Sequence, residues 1–183
     1  KVSCYAYGAY LLPPEKIDRL SPNVAIGICQ NRSYFYQTET RDKYRAIREG
    51  WLPKLPSGKL MIWEYYLHAR PDGNTAGLPI YYPRLIAEDL RSLKGRVSGE
   101  GIEVARDFSS SVNPAPDPAL AVNHLNCWIT ARLWWNPDQD VEALLADYCR
   151  RFYGPAASQM KAFIDFGEQN WPVMSQDAAA VAK

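Results

Sequence analysis

Apolar and polar positions along the 183-residue chain fall into two regimes. In the first, short apolar runs alternate with amphipathic stretches. Four runs predict strands: Val2 to Tyr10, Asn23 to Gln30, Leu60 to His68 and Val97 to Val104. Each is short, and three are rich in β-branched or aromatic residues. Helical patterns lie between them. Pro14 to Leu20 begins with proline and an acid, which suits a helix start. Thr40 to Trp51 has Thr40 or Asp42 to cap it. Tyr82 to Leu93 sets Leu85, Ile86, Leu90 and Leu93 on one face at helical spacing. Such alternation predicts parallel βαβ units in an α/β protein.

The second regime begins after Asp107. FSSSVNPAPDP reads as a loop, and no strand pattern follows it. Three helices are predicted instead: Pro118 to Trp135, Asp138 to a stop at Gly154, and a third opening at Pro155. The tail SQDAAAVAK predicts a fraying helix end. The chain thus divides into four β/α units over residues 1–110 and packing helices over 111–183.

Composition narrows the classes. Hydrophobic residues are 47%, enough for a real core in a chain of this length. Net charge is +1 with no run of like charges, which argues against a nucleic-acid surface. No segment approaches the roughly 18–20 apolar residues of a membrane span. Lys1-Val2-Ser3 runs straight into a strand-like stretch, so the chain reads as a mature or excised segment. Cys4, Cys29, Cys127 and Cys149 form no C-x-x-C pair, and with 2 His a metal site has little support. They read as buried thiols, with a Cys4–Cys29 bridge left open. No cofactor is expected: LLPPEK follows the first strand where a glycine-rich phosphate loop would stand.

Four parallel strands without a phosphate loop suit half of a (β/α)₈ barrel better than an open doubly wound sheet. Barrels keep their chemistry at the C-terminal strand ends. Here those ends carry Tyr7 and Tyr10, Gln30-Asn31-Arg32, Glu64 to His68, and Glu103.

Several stretches carry a family resemblance: YAYGAYLLPP, SPNVAIGICQ, LMIWEYY, LPIYYPRLIAEDLRSLKGRVSGEGIE and ITARLWWNPDQDVEALLADYCRRFYGPAASQM. Together they resemble the C-terminal half of a family of glycoside-hydrolase-like TIM barrels, a domain of unknown function related in fold to α-glucuronidases and β-hexosaminidases. The resemblance spans roughly residues 1–170, and Trp134-Trp135-Asn136-Pro137-Asp138 with Phe152-Tyr153-Gly154-Pro155 is its most specific part. It implies that these strands are the last four of eight, that an N-terminal half completes the barrel, and that the half alone is inactive. It also implies a carbohydrate ligand and a secreted or periplasmic setting.

Glycoside hydrolysis uses two carboxyl groups about 5–10 Å apart. Glu64 and Glu103 are the candidates, with Glu100 nearer mid-strand and read as a structural partner. Along a strand, Leu60, Ile62, Glu64 and Tyr66 share one face and Met61, Trp63 and Tyr65 the other. A carboxylate aimed at outer helices would be buried in apolar packing, so the Glu64 face is expected to be the barrel interior. Tyr7, Trp63 and Tyr66 are candidate sugar contacts, since flat rings stack on pyranoses, and for Trp63, as for Tyr65, core packing between strand and helix is the plainer role. His68 follows the strand and is a candidate ligand contact, with a rim residue as the alternative. Arg32 could hold a uronate through its planar fork, against a surface salt bridge as the plainer role. The expected activity is glycosidic hydrolysis by carboxylate chemistry. A non-catalytic carbohydrate-binding or scaffold domain is the rival, and two copies pairing to close a barrel a third reading.

Overall fold

The computed structural model describes residues 2–66, 80–103 and 118–174. Strands β1 (Val2–Ala6), β2 (Val24–Gln30), β3 (Leu60–Glu64) and β4 (Val97–Ile102) form one parallel sheet in the order β1-β2-β3-β4. Each strand is followed by the one beside it, and the chain never reverses direction across the sheet. Helices α1 (Thr38–Trp51) and α2 (Pro83–Ser92) make the last two crossovers. Crossovers of one hand that advance in one direction leave their helices on one face. The packing agrees. Ile47 and Trp51 of α1, with Leu93 just beyond α2, join Ala6, Ile26, Ile28, Leu60 and Ile62 in one apolar cluster.

Proline sets the start of α2, because Pro83 occupies its first turn, where a missing N–H costs nothing. Helix α1 begins two residues earlier than expected, at Thr38. Helices α3 (Pro118–Trp135), α4 (Val141–Tyr153) and α5 (Ala157–Met174) follow without a strand. Asp140 caps α4, its Oδ1 accepting from the backbone N–H of Glu142 at 2.9 Å. A 3-10 turn at Gly154–Ala156, opened by Gly154 at φ +51°, joins α4 to α5. A second cluster draws Tyr82, Ile86 and Leu90 together with Leu125, Ile129 and Leu133 of α3 and Leu145, Tyr148 and Ile164 of α4 and α5. Residues 175–183, expected as a fraying helix end, lie outside the described residues.

One expected helix is absent. Pro14 to Leu20 forms bends, not a helix. The seven residues from Pro14 to Leu20 are too few to stand alone, and Ile17 is exposed instead of supplying a buried face. Two bonds pin this segment against the turn after α1: Lys54 Nζ donates to the Ile17 carbonyl, and the Leu20 N–H to the Lys54 carbonyl, both at 2.8 Å. The Cys4–Cys29 bridge is also excluded. All four cysteines are free. Cys4 lies level with Ile26, so Cys29, three residues on, points to the opposite face. Cys4 is exposed as well, not buried as expected, because it lies on the edge strand.

Candidate functional site

The sheet has two unlike faces, and their parity follows from the register. Ala6, Ile28, Ile62 and Glu100 stand level across it, as do Gln30 and Glu64. This is the helix-covered face. Glu64 therefore points at the helices, not into an interior, and is fully buried. The expectation failed because Glu64 does not sit in apolar packing. It belongs to a closed polar cluster centred on Arg32.

Arg32 is itself fully buried, which rules out a surface salt bridge. It follows β2 in a short 3-10 turn begun by Asn31, whose Oδ1 accepts from the Ser33 N–H at 3.0 Å. Arg32 Nε donates to Asp89 Oδ2 of α2 at 2.6 Å. Its terminal nitrogens grip Glu100 bidentately, with Nη2 at 2.7 Å from Oε2. Arg48 of α1 lies 2.8 Å from Asp89 Oδ1 and donates to Gln30 Oε1 at 3.1 Å. Gln30 Nε2 in turn donates to Asp89 at 3.1 Å and to Glu64 Oε2 at 3.2 Å. The other oxygen of Glu64 accepts two backbone N–H groups, Arg32 at 2.8 Å and Tyr65 at 3.0 Å.

Tyr66 extends this cluster into α3. Arg32 Nη1 donates to its hydroxyl at 3.1 Å. Thr130 Oγ1 lies 2.7 Å from that hydroxyl and donates onward to the Asn126 carbonyl at 2.8 Å. With the threonine proton committed there, the Tyr66 hydroxyl donates to Thr130. Tyr66 is fully buried, so it cannot stack on a ligand at the open edge.

Three carboxylates share two guanidinium groups here. Burial opposes the charge of Asp89, but Arg32 and Arg48 hold it below the usual carboxylate range. Glu64 goes the other way. Burial, helped by the nearby charge of Glu100 and only partly countered by Arg32, pushes it up to about 8. Its Oε2 is 3.5 Å from the nearest Arg32 nitrogen, the loosest ion pair in the set.

The opposite face carries no described helix. Tyr5 (54% exposed) and Met61 (37%) stand on it with Trp63. Gly27 and Gly101 leave room for the rings: a Cβ on Gly27 would stand 3.0 Å from Tyr5, and one on Gly101 3.3 Å from Trp63. Tyr5 meets Trp63 edge-on with centroids 5.3 Å apart. At the C-terminal ends of β1 to β3 a cavity of about 520 Å³ opens, reached from the other face by Gln30. Tyr7, Tyr34, Tyr44 and Tyr65 line it, together with Cys29 and Asn31. Tyr7 and Tyr65 face each other at 6.4 Å. Burial and the Cys29 hydrogen bond raise the Tyr65 hydroxyl well above its ordinary pKa, and burial likewise raises the Cys29 thiol.

Glu103 is not one of the residues that line this cavity, but it lies near two that are. It follows β4, its N–H donating to the Glu64 carbonyl at 2.8 Å, and its charge is felt by Cys29 and Tyr65. Trp63 Nε1 donates to Glu103 Oε2 at 3.3 Å.

The fold thus brings Tyr7, Trp63 and Glu103 together on one side of the sheet, and Arg32, Glu64 and Tyr66 on the other. His68 lies outside the described residues. Sequence reasoning had Asn31 as a strand-end polar residue and Cys29 as a buried thiol, passed over Tyr34 and Tyr44, and favoured packing for Tyr65. The register alone would have found Cys29 and Tyr65, since both share the parity of Trp63. Among the described residues no group of His, Cys, Asp and Glu is set to hold a metal ion, and no helix is long and apolar enough to cross a membrane.

No curated protein and no solved structure matches the chain. A family described as a domain of unknown function (DUF4838) matches residues 1–165, and the chain belongs to that family.

Proposed function

We propose, with that membership as premise, that the chain is half of a glycoside-hydrolase-type (β/α)₈ barrel and contributes its carbohydrate-binding edge. One observation carries this reading: the tyrosine-lined cavity at the C-terminal edge of a parallel sheet. Concave, largely aromatic pockets with a few placed polar groups are what small ligands use, and C-terminal strand edges are where barrels put them. Phenol rings suit pyranoses because they offer an apolar face and a hydroxyl at once. The sheet order and the one-sided helices fit a sheet that curves toward closure, with four further strands as its partner.

Hydrolysis needs a second carboxyl group across the scissile bond. Glu64 is sequestered, so Glu103 becomes the candidate from this half, as acid, base or nucleophile, and its counterpart must come from the other. The half alone is then a binder. That observation also favours the rival, in which the whole protein binds carbohydrate without cleaving it.

Calorimetric titration of this chain with a panel of neutral and uronic oligosaccharides is the first test. Binding lost on Tyr65→Ala is the expected result, and no binding to any member sinks the carbohydrate reading. Glu103→Gln in a protein carrying all eight strands, assayed on 4-nitrophenyl glycosides, then separates the two readings. An enzyme loses turnover by orders of magnitude, far beyond any change in affinity; a binder has no turnover to lose.

A further inference from the structure

Trp63 has the residue type of a stacking platform but not the surroundings of one. Its ring lies against the Gly101 backbone, where a Cβ would come within 3.3 Å of Cε3 and Cζ3. Tyr5 closes on it edge-to-face at 5.3 Å, in a T-shaped contact. The one polar atom of the indole, a donor with no acceptor capacity, is aimed at Glu103 Oε2 at 3.3 Å. A ring confined this way holds a hydrogen-bond direction better than it offers a face.

We propose that Trp63 is a positioning residue. Its N–H fixes the Glu103 carboxylate just beyond the end of β4, and Gly101 is glycine so that the indole can lie close enough to reach. Both strand ends take part. Trp63 stands level with Gly101 across the β3–β4 ladder, and Glu103 is two residues beyond Gly101 on the same side of the strand. The rise of about 3.3 Å per residue separates Glu103 from Gly101 by roughly 7 Å along the strand. A tryptophan is long enough to lie over one and touch the other; phenylalanine covers the glycine but has nothing to donate. The inference deepens the carbohydrate reading and depends on it only for what the carboxylate acts upon.

The test begins with the indole N–H signals of the uniformly ¹⁵N-labelled chain, that of Trp63 identified by its loss in Trp63→Phe. In Glu103→Gln the Trp63 signal should move upfield by several tenths of a ppm, while the other five tryptophans hold still. A Trp63 signal that moves no more than theirs overturns the proposal. Gly101→Val supplies a second route, because it displaces the ring without touching either partner. It should shift the same signal and speed its exchange with solvent, and an unchanged signal counts against the role given to Gly101.

Affinity for cellotriose and chitotriose then reads the consequence. Trp63→Phe and Glu103→Gln should each weaken binding roughly tenfold, as loss of one charge-assisted bond would. The double variant should be no weaker than either, because they share one interaction. Additive losses overturn the coupling. If neither sugar binds, the indole signal still decides the positioning claim, and only the carbohydrate reading falls.

Discussion

On the helix-covered face of the sheet, Arg32, Arg48, Glu64, Asp89 and Glu100 are nearly inaccessible, and each is held by the others. On the opposite face, Tyr5, Met61 and Trp63 stand over glycines with no described helix above them. Both faces come from the same strands, and alternate residues decide which is which. Glu64 and Trp63 are neighbours in sequence and yet belong to different chemistry. The lesson is that a carboxylate next to aromatics does not mark a site. What matters is whether the fold supplies its partners from elsewhere, and for Glu64 it does.

The contrast can be broken most severely at Arg32. Arg32→Met removes the charge that Asp89 and Glu100 face and leaves buried carboxylates against one another. Unfolding in urea should show a loss of about 3–5 kcal/mol, the usual cost of stripping one partner from a buried pair. A loss under about 1 kcal/mol, the range of exposed pairs, would mean that the cluster is not closed to water. Glu64→Gln gives a pH-dependent effect. The carboxyl of Glu64 is raised from the ordinary 4.5 to about 8 in the folded chain. Its contribution is therefore complete below pH 4.5 and is lost as pH rises through 8. Wild-type stability should fall across that window, with a slope approaching about 1.4 kcal/mol per pH unit. The glutamine variant should be flat there. Asp89, held low, acts in the other direction and matters only on the acid side of its ordinary range.

The open face should respond in the opposite sense. Tyr7 is 61% exposed, so Tyr7→Ala should leave the urea midpoint almost unchanged, within about 0.5 kcal/mol. Sugar affinity should nevertheless drop about threefold to tenfold through the lost ring contact. A variant that loses stability and keeps affinity would reverse the assignment of the two faces. Gly27→Val is the mildest change. Its side chain would press on the ring of Tyr5, which is exposed enough to swing away, at a cost of under about 1 kcal/mol. Trp63 fluorescence should register the move even where stability barely does.

Most of the architecture was legible in the chain. The four strands follow from runs such as Val24–Gln30, and α2 from the spacing of Leu85, Ile86 and Leu90 behind Pro83, because both signals are local. The Pro14–Leu20 segment was misread for the same reason: proline and an acid announce a helix start, but only a partner surface can sustain so short a helix. Of the candidate site, the strand-end positions of Tyr7 and Glu103 were legible in the sequence, since Tyr7 follows β1 and Glu103 follows β4. The orientation of Glu64 was not, since its partners Gln30 and Arg32 lie at the end of β2, more than thirty residues away in sequence. No period or spacing near Glu64 records that they will meet it.

The Arg32 cluster also bears on how the chain reaches its native state. Arg32 meets Glu64, Asp89 and Glu100 across separations of 32, 57 and 68 residues. Contacts of that reach form only after large loops have closed, which slows folding. Before closure the guanidinium and the carboxylates are hydrated, and they surrender that water only when nearly all partners are present. Arg32 contacts should thus be absent from the transition state, so a variant at this position should speed unfolding far more than it slows folding. The same ions that align β2, β3 and β4 would then act chiefly as a latch, setting how long the folded state lasts once formed.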